Sequence, residues 1–198
     1  MKRKVITALL AATMVASLAV GCGNKGGDSK SDSSKSSSSD EITIGFSQVG
    51  AESDWRTANS ESMKSTFSEK NGYKLIFDDA QQKQENQITA IRNFIQQDVD
   101  YIVLAPVTET GWDTVLKEAK DADIPVIIVD RMIDVSDDSL YTTWIGTDAL
   151  CEGRKAAEWL NGFAEAKGIA ASDIHIADIQ GTIGSTAQIG RTKGLEEG

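Results

Sequence analysis

Two pairs of adjacent residues in this sequence could bind a polar ligand directly. Asp130 and Arg131 follow the apolar run IPVIIV, and Trp55 and Arg56 lie in the segment SDWR. Carboxylate and guanidinium groups form directed, often bidentate hydrogen bonds with neighbouring hydroxyl groups, while an aromatic ring covers an apolar C–H face. Together these groups would suit a hydroxyl-rich small molecule such as a sugar.

Each pair also has a purely structural explanation. Trp55 could be a core residue that anchors the first helix, and the sequence leaves this possibility open. Asp130 and Arg131 could form a solvated ion pair that contributes little to stability. Their position directly after an apolar strand favours a ligand site, because ligands bind beyond the carboxyl ends of parallel strands.

The elements that must position these residues alternate along the chain from residue 42 onward. The β-branched runs predict strands at 42–47, 73–78, 101–105, 125–130, 142–146 and 173–180. The helical spacing predicts helices at 54–70, 81–97 and 148–166, and two more that begin near 110 and 185. Apolar strands that alternate with helices indicate an α/β fold, a doubly wound parallel sheet with helices on both faces.

The carboxyl ends of these strands should converge on one edge of the sheet. Asp130 and Arg131 follow the fourth predicted strand, Ser47 and Gln48 end the first, and Asp78 ends the second. Because parallel strands share their direction, we expect these side chains to face a single ligand cleft.

Other chemistry has little support in the sequence. The turn after the first strand, SQVGAESDW, has neither the dinucleotide nor the P-loop glycine pattern. The segment QGTIGSTAQIG lacks the lysine of a phosphate loop and is more typical of a tight turn than of an anion site. His175 is the only histidine, so the sequence predicts no catalytic residue, no metal site and no cofactor.

The first 21 residues are typical of a secretory signal peptide, because Lys2, Arg3 and Lys4 precede the apolar run VITALLAATMVASLAV. The following LAVGC resembles the lipobox of bacterial lipoproteins, which predicts that Cys22 carries lipid after cleavage. The alternative is ordinary secretory cleavage that leaves a free thiol. Cleavage would move the net charge from −10 to −13, because the signal holds three basic residues and no acidic residue, and such a surface repels nucleic acid.

The composition of residues 22–40 predicts a flexible tether between the lipid and the folded domain. The segment GNKGGDSKSDSSKSSSSD contains no large apolar residue and cannot offset the entropy of ordering. A tether directly after a lipidated cysteine lets a domain stand away from the bilayer. The expected location is the extracellular face of the cell membrane, or the periplasm in a Gram-negative cell.

Several long stretches in order resemble the type I periplasmic-binding-protein family, the solute-binding components of sugar ABC transporters. The stretches are IGFSQVGAESDWRTANS, DAQQKQENQI, APVTETGWDTVLKEAKDADIPVI, DRMIDVSDDSLY and DIQGTIGSTAQIGRTKG. The resemblance covers 42–198 and is strongest to members that bind galactofuranose. It implies ligand contacts from Ser53, Trp55, Arg56, Asp130, Arg131 and Arg191.

The resemblance also implies how the chain is organised. It places an amino-terminal lobe at 41–147 and the start of a second, similar lobe at 148–198, with the rest of that lobe missing from this sequence. The protein would be a monomer that captures a monosaccharide, a furanose or a hexose, in the cleft between its lobes and delivers it to an ABC permease.

Three other functions use the same fold. A sensory module would present the sugar to a histidine kinase or a chemoreceptor instead of a permease. A repressor core is disfavoured by the signal peptide, the acidic charge and the absence of a helix-turn-helix before residue 42. An enzyme is formally possible because a fold does not fix a function, but the resemblance implies binding without catalysis.

Overall fold

The computed structural model describes residues 41–198. Five strands form a single parallel sheet in the order β2-β1-β3-β4-β5. They are β1 Ile42–Gln48, β2 Tyr73–Asp79, β3 Tyr101–Leu104, β4 Val126–Asp130 and β5 Thr143–Gly146. The helices are α1 Asp54–Thr66, α2 Gln84–Gln96, α3 Asp113–Asp121, α4 Ala149–Lys167 and α5 Thr186–Glu197. The predicted α/β fold with a parallel sheet is confirmed.

Helices α1, α2 and α3 cover the two faces of the sheet, as a doubly wound fold requires, while α4 and α5 pack mainly against each other. On one face, Phe46 of β1 belongs to an apolar cluster against which Met63 of α1 packs. On the other face, Leu104 of β3 shares a larger cluster with residues of α2 and α3. Gly45 lets α2 approach β1 closely, because a Cβ atom at Gly45 would lie 2.4 Å from the ring of Phe94.

The end of α1 and the start of α2 differ from the sequence-based expectation for identifiable reasons. Helix α1 ends at Thr66 instead of residue 70, where the side-chain amide of Asn71 donates to the Thr66 carbonyl at 2.8 Å. Helix α2 begins at Gln84 instead of residue 81, because Gln81 and Gln82 have φ angles of 53° and 61°. A right-handed helix cannot contain such residues.

The predicted strand at 173–180 is wrong. A strand needs a hydrogen-bonded neighbour, and none of the five strands in the described part of the chain pairs with this segment. Its apolar side chains face solvent, with Ile176 exposed by 56% and Ile179 by 95%. A short 3-10 helix at Ala171–Asp173 and irregular backbone connect α4 to α5 instead.

Helices α4 and α5 pack tightly against each other through small residues. A Cβ atom at Gly194 of α5 would lie 2.3 Å from the Leu150 carbonyl oxygen of α4. Between residues 41 and 198, no helix has both the length and the apolar character needed to cross a bilayer. The predicted signal peptide, Cys22 and the tether lie outside the described residues.

Candidate ligand-binding site

Asp130 ends β4 in a backbone conformation that few residues adopt. Its φ angle is 66°, in the left-handed region that aspartate tolerates better than most residues. The Trp144 indole Nε1 donates to the Asp130 carbonyl oxygen at 3.3 Å. Gly146 on β5 leaves room for this carbonyl, because a Cβ atom there would approach the oxygen to 2.1 Å. Strain of this kind is often found at functional sites.

Arg56 is buried and connects helix α1 to the end of β4. Its Nη2 donates to Asp130 Oδ2 at 2.7 Å, and its Nε donates to Glu52 Oε1 at 3.0 Å. Ser53 is the N-cap of α1, where its Oγ accepts from the Arg56 backbone N–H at 3.2 Å. The cap thus fixes the turn from which Arg56 reaches Asp130.

Arg131 completes a cluster of four charged side chains, called here the charged cluster: Glu52, Arg56, Asp130 and Arg131. Its Nη2 lies 3.9 Å from Glu52 Oε1, and its Nε lies 4.0 Å from Asp130 Oδ2. Its Nη1 donates to the Val107 carbonyl oxygen at 3.2 Å. Burial, and then the positive charge of Arg56, lower the pKa of Arg131. With a side chain only 12% exposed, Arg131 does not form the solvated ion pair that the sequence left as an alternative.

A cavity of about 390 Å³ lies beside the charged cluster, within the size range of small-molecule sites. Asp130, Arg131 and Arg191 all line it. The other polar lining residues are Glu109, Thr147, Asp148, Thr186 and Lys193, and the larger apolar ones are Met132, Trp144, Leu150 and Ile189. The fold therefore brings three of the six predicted site residues to one cavity.

Arg191 reaches this cavity from helix α5. Its Nε donates to Glu152 Oε2 of helix α4 at 2.8 Å, and its side chain is 59% exposed. Residues at the end of β4 also line the cavity. Positively charged donors thus face the cavity from two parts of the chain.

Trp55 is not a core residue, because 58% of it is exposed. The Arg56 guanidinium carbon lies 4.8 Å from the centre of the Trp55 ring. Trp55, Arg56 and Ser53 do not line the cavity, although Arg56 contacts Asp130, which does. The ligand contacts of these three residues therefore stay a prediction.

The polar residues at the ends of β1 and β2 serve the scaffold. Gln48 is buried, and its side chain donates to Asn59 Oδ1 at 2.8 Å and to Ser60 Oγ at 3.1 Å, both on α1. Ser47 is also buried and lies beside Asp78 in the sheet register. Burial, and then the charge of Asp79, raise the pKa of Asp78. These side chains support the sheet edge and do not line the cavity.

The sequence-based prediction missed three residues of this region. Glu52 could have been found from its spacing to Arg56, because residues four apart meet on one side of a helix start. No local sequence pattern marks Glu109 or Trp144 as a site residue, because only the fold brings these two residues to the cavity. Burial, and then the charge of Asp134, raise the pKa of Glu109.

Metal binding has no support in the described part of the chain. Within residues 41–198, no three histidine, cysteine, aspartate or glutamate side chains are grouped closely enough to hold an ion. The arrangement of carboxylate and guanidinium groups around a cavity of this size is suited to hydrogen bonding with a polar small molecule.

The family model of the periplasmic binding protein domain matches residues 44–198. The chain belongs to this family. The match spans the sheet and all five helices, and it confirms the resemblance on which the site residues were predicted.

Three relatives with described ligands are similar to this periplasmic binding protein chain. The galactofuranose-binding protein YtfQ of Escherichia coli is 49% identical over 156 residues, which are 79% of this chain and 47% of YtfQ. A Mycobacterium smegmatis structure in complex with β-D-fucofuranose is 50% identical with a TM-score of 0.72, covering 79% of this chain and 50% of that one.

The third relative is the binding protein of the arabinose ABC transporter from Shewanella sp. ANA-3, bound to α- and β-L-arabinofuranose. It is 54% identical with a TM-score of 0.70, over 79% of this chain and 49% of that one. This chain therefore spans about half the length of the relatives it matches.

Proposed function

We propose that the protein is the extracellular sugar-binding component of an ABC transporter, and that it captures a monosaccharide beside Asp130 and Arg131. The observation that carries this proposal is the charged cluster at the end of β4, directly beside a cavity of about 390 Å³. The cavity has the volume for one sugar ring, and its charged lining supplies donors and acceptors for hydroxyl groups.

The ligand class that the relatives favour is a five-membered sugar ring. The names of the three relatives refer to galactofuranose, β-D-fucofuranose and L-arabinofuranose. These sugars differ in their exocyclic groups but share the furanose ring. A furanose is therefore the proposed ligand here, with a hexose in the pyranose form as the alternative to be tested.

Each predicted site residue has a proposed role in binding. Asp130 accepts a hydrogen bond from one sugar hydroxyl group or from two adjacent ones. The acceptor is the carboxylate oxygen that is not bonded to Arg56. Arg131, after β4, and Arg191, on α5, both line the cavity and donate to sugar oxygens. Trp55 covers the apolar face of the ring, and Ser53 offers a polar contact from the turn before α1.

Closure around the sugar would involve two lobes, with residues 41–147 in one and residues 148–198 in the other. The support for this division is that the cavity is lined by residues from both ranges, including Asp130 and Arg131 from the first and Leu150 and Arg191 from the second. A sugar that contacts both lobes favours the closed arrangement, which the permease would recognise. The protein would act as a monomer, and no covalent reaction is part of this function.

The proposed location is the extracellular face of the cell membrane, with lipid attached to Cys22 after removal of residues 1–21. The support is the LAVGC motif and the polar tether that follows it. Growth of expressing cells with labelled palmitate should label the wild-type protein and leave a Cys22→Ala variant unlabelled. Equal labelling of both proteins would contradict the anchor without affecting the sugar site.

The proposed function is tested by thermal unfolding in the presence of sugars. A ligand that binds only the folded protein must raise the unfolding midpoint. The panel would contain L-arabinose, D-fucose and D-galactose, whose solutions include the furanose form, with D-glucose as the pyranose hexose and glycerol as the control. We expect the unfolding midpoint to rise with at least one of the first three sugars and to stay unchanged with glycerol. A folded protein that responds to no sugar would contradict the proposal.

A further inference from the structure

Glu52 contacts both arginines of the charged cluster. One of its oxygens, Oε1, lies 3.0 Å from Arg56 Nε and 3.9 Å from Arg131 Nη2. The side chain of Glu52 is only 20% exposed, and that of Arg56 only 4%. The two arginines therefore share two carboxylates, and removal of either carboxylate would leave the cluster with an excess of positive charge in a poorly solvated position.

The two carboxylate oxygens of Asp130 differ in their contacts. Arg56 Nη2 donates to Oδ2 of Asp130, and Oδ2 also lies 4.0 Å from Arg131 Nε. The other oxygen, Oδ1, accepts no hydrogen bond from any residue between 41 and 198. One oxygen thus holds the aspartate in place while the other is available to a ligand at the cavity.

We propose that Glu52 is a positioning residue for the sugar site: by supplying the second negative charge for Arg56 and Arg131, it keeps the two arginines from occupying both oxygens of Asp130. Without its charge, two guanidinium groups would have one carboxylate between them. Arginine forms bidentate pairs with carboxylates readily, so Asp130 Oδ1 would be drawn into the protein and away from the cavity. This inference rests on the proposed sugar-binding function.

The sequence around Glu52 keeps the residue in this position. Ser53, the N-cap of α1, orders the turn directly after Glu52 by accepting the Arg56 backbone N–H. Glu52 directly precedes the N-cap Ser53 and Arg56 lies in the first turn of α1, so their side chains, four residues apart, meet at the start of the helix. Burial and the nearby charge of Arg56 lower the pKa of Arg131, while Asp130 and Glu52 act in the opposite direction.

The test compares Glu52→Gln with a matched control in the intact protein. Glutamine keeps the length and one acceptor oxygen but removes the charge. The control is Glu118→Gln, which removes the charge from an exposed ion pair with Arg92 that belongs neither to the charged cluster nor to the cavity lining. Affinity for L-arabinose, D-fucose and D-galactose would be measured by calorimetric titration, well below the unfolding midpoint of each variant.

We expect Glu52→Gln to bind the sugar about tenfold to a hundredfold more weakly than wild type, and Glu118→Gln to bind it as wild type does. A positioning role predicts a further result. Because Glu52 acts through Asp130, the double variant Glu52→Gln/Asp130→Asn should bind within about threefold of Asp130→Asn alone. A residue that supported only the fold would weaken binding independently, and the two losses would multiply.

Unchanged affinity in Glu52→Gln, or losses that multiply in the double variant, would overturn the role of Glu52 while leaving the sugar-binding function intact. Failure of the wild-type protein to bind any of the three sugars would instead overturn the proposed function, and the role of Glu52 with it.

Discussion

Arg56 and Asp130 are separated by 74 positions in the sequence but form an ion pair of 2.7 Å between Nη2 and Oδ2. The pair ties the start of helix α1 to the end of strand β4. Because the arginine side chain is only 4% exposed, its charge depends on Asp130 and Glu52 for compensation. The stability of the fold and the geometry of the candidate site are therefore linked through one contact.

Replacement of Asp130 by alanine should lower the free energy of unfolding by about 2 kcal/mol, because it leaves the buried Arg56 with Glu52 as its remaining acidic partner. Urea denaturation would measure this change. The control is Glu118→Ala, which breaks an exposed ion pair with Arg92 and should have a much smaller effect. Equal losses in the two variants would show that the Arg56–Asp130 pair contributes no more than a surface contact.

Replacement of Trp55 by alanine should separate ligand binding from stability. The ring is 58% exposed, so its loss should leave the unfolding midpoint nearly unchanged. If the ring covers one face of the sugar, affinity should fall by roughly tenfold. Trp159 on α4 is 68% exposed and serves as the matched control, because Trp159→Ala should leave affinity unchanged. Similar affinities for Trp55→Ala and wild type would remove Trp55 from the site.

Gly146 should not tolerate a side chain. A Cβ atom there would lie 2.1 Å from the Asp130 carbonyl oxygen, so Gly146→Ala must displace the end of β4. We expect a loss of about 2 kcal/mol in the free energy of unfolding, together with weaker sugar binding.

Gly162 provides the control for Gly146. A Cβ atom at Gly162 would meet no atom within 4 Å, and the residue lies inside helix α4. Gly162→Ala should therefore raise the free energy of unfolding by about 0.7 kcal/mol, because alanine favours the helix. In the same denaturation assay, the free energy of unfolding should fall for Gly146→Ala and rise for Gly162→Ala. A rise for both variants would contradict the close packing of Gly146 against Asp130.

Glu109 should make the stability depend on pH. Burial, and then Asp134, raise its pKa above the ordinary value of 4.5, so the folded protein disfavours the charged form. Its contribution is most favourable below about pH 4.5 and is lost as pH rises through the folded-state pKa. Glu109→Gln removes the charge, so the stability of this variant relative to wild type should increase as the pH rises from about 4 to about 7. Urea denaturation at both values measures this, and a pH-independent difference would contradict it.

Most of the architecture could be predicted from the sequence because it depends on local patterns. The alternation of β-branched runs with helical spacing located all five strands of the sheet and all five helices. The predicted strand at 173–180 failed because a run such as DIHIADIQ has strand character, while a strand also requires a neighbour to pair with. In the described part of the chain that neighbour is missing, and Ile179 is 95% exposed.

The candidate site was predictable only in part. Asp130 and Arg131 were predicted as site residues because they lie at the carboxyl end of an apolar strand, where parallel sheets bind their ligands. An ion pair between these two residues was the structural alternative that the sequence left open, whereas the nearest partner of Asp130 in the structure is Arg56. A contact across 74 positions depends on how α1 lies against the sheet, which no local pattern encodes. For the same reason Trp144 and Glu109 could not be assigned to the cavity.

The most direct test of the sugar site is a calorimetric titration of the intact wild-type protein and its Asp130→Asn variant with the sugar that raises the unfolding midpoint most. Asparagine keeps the shape of aspartate but removes the charge that orders the cluster. We expect saturable binding of one sugar per wild-type protein and a loss of at least roughly tenfold in affinity for Asp130→Asn. Equal affinity in the two proteins would show that the sugar binds elsewhere, and would contradict a ligand site at the end of β4.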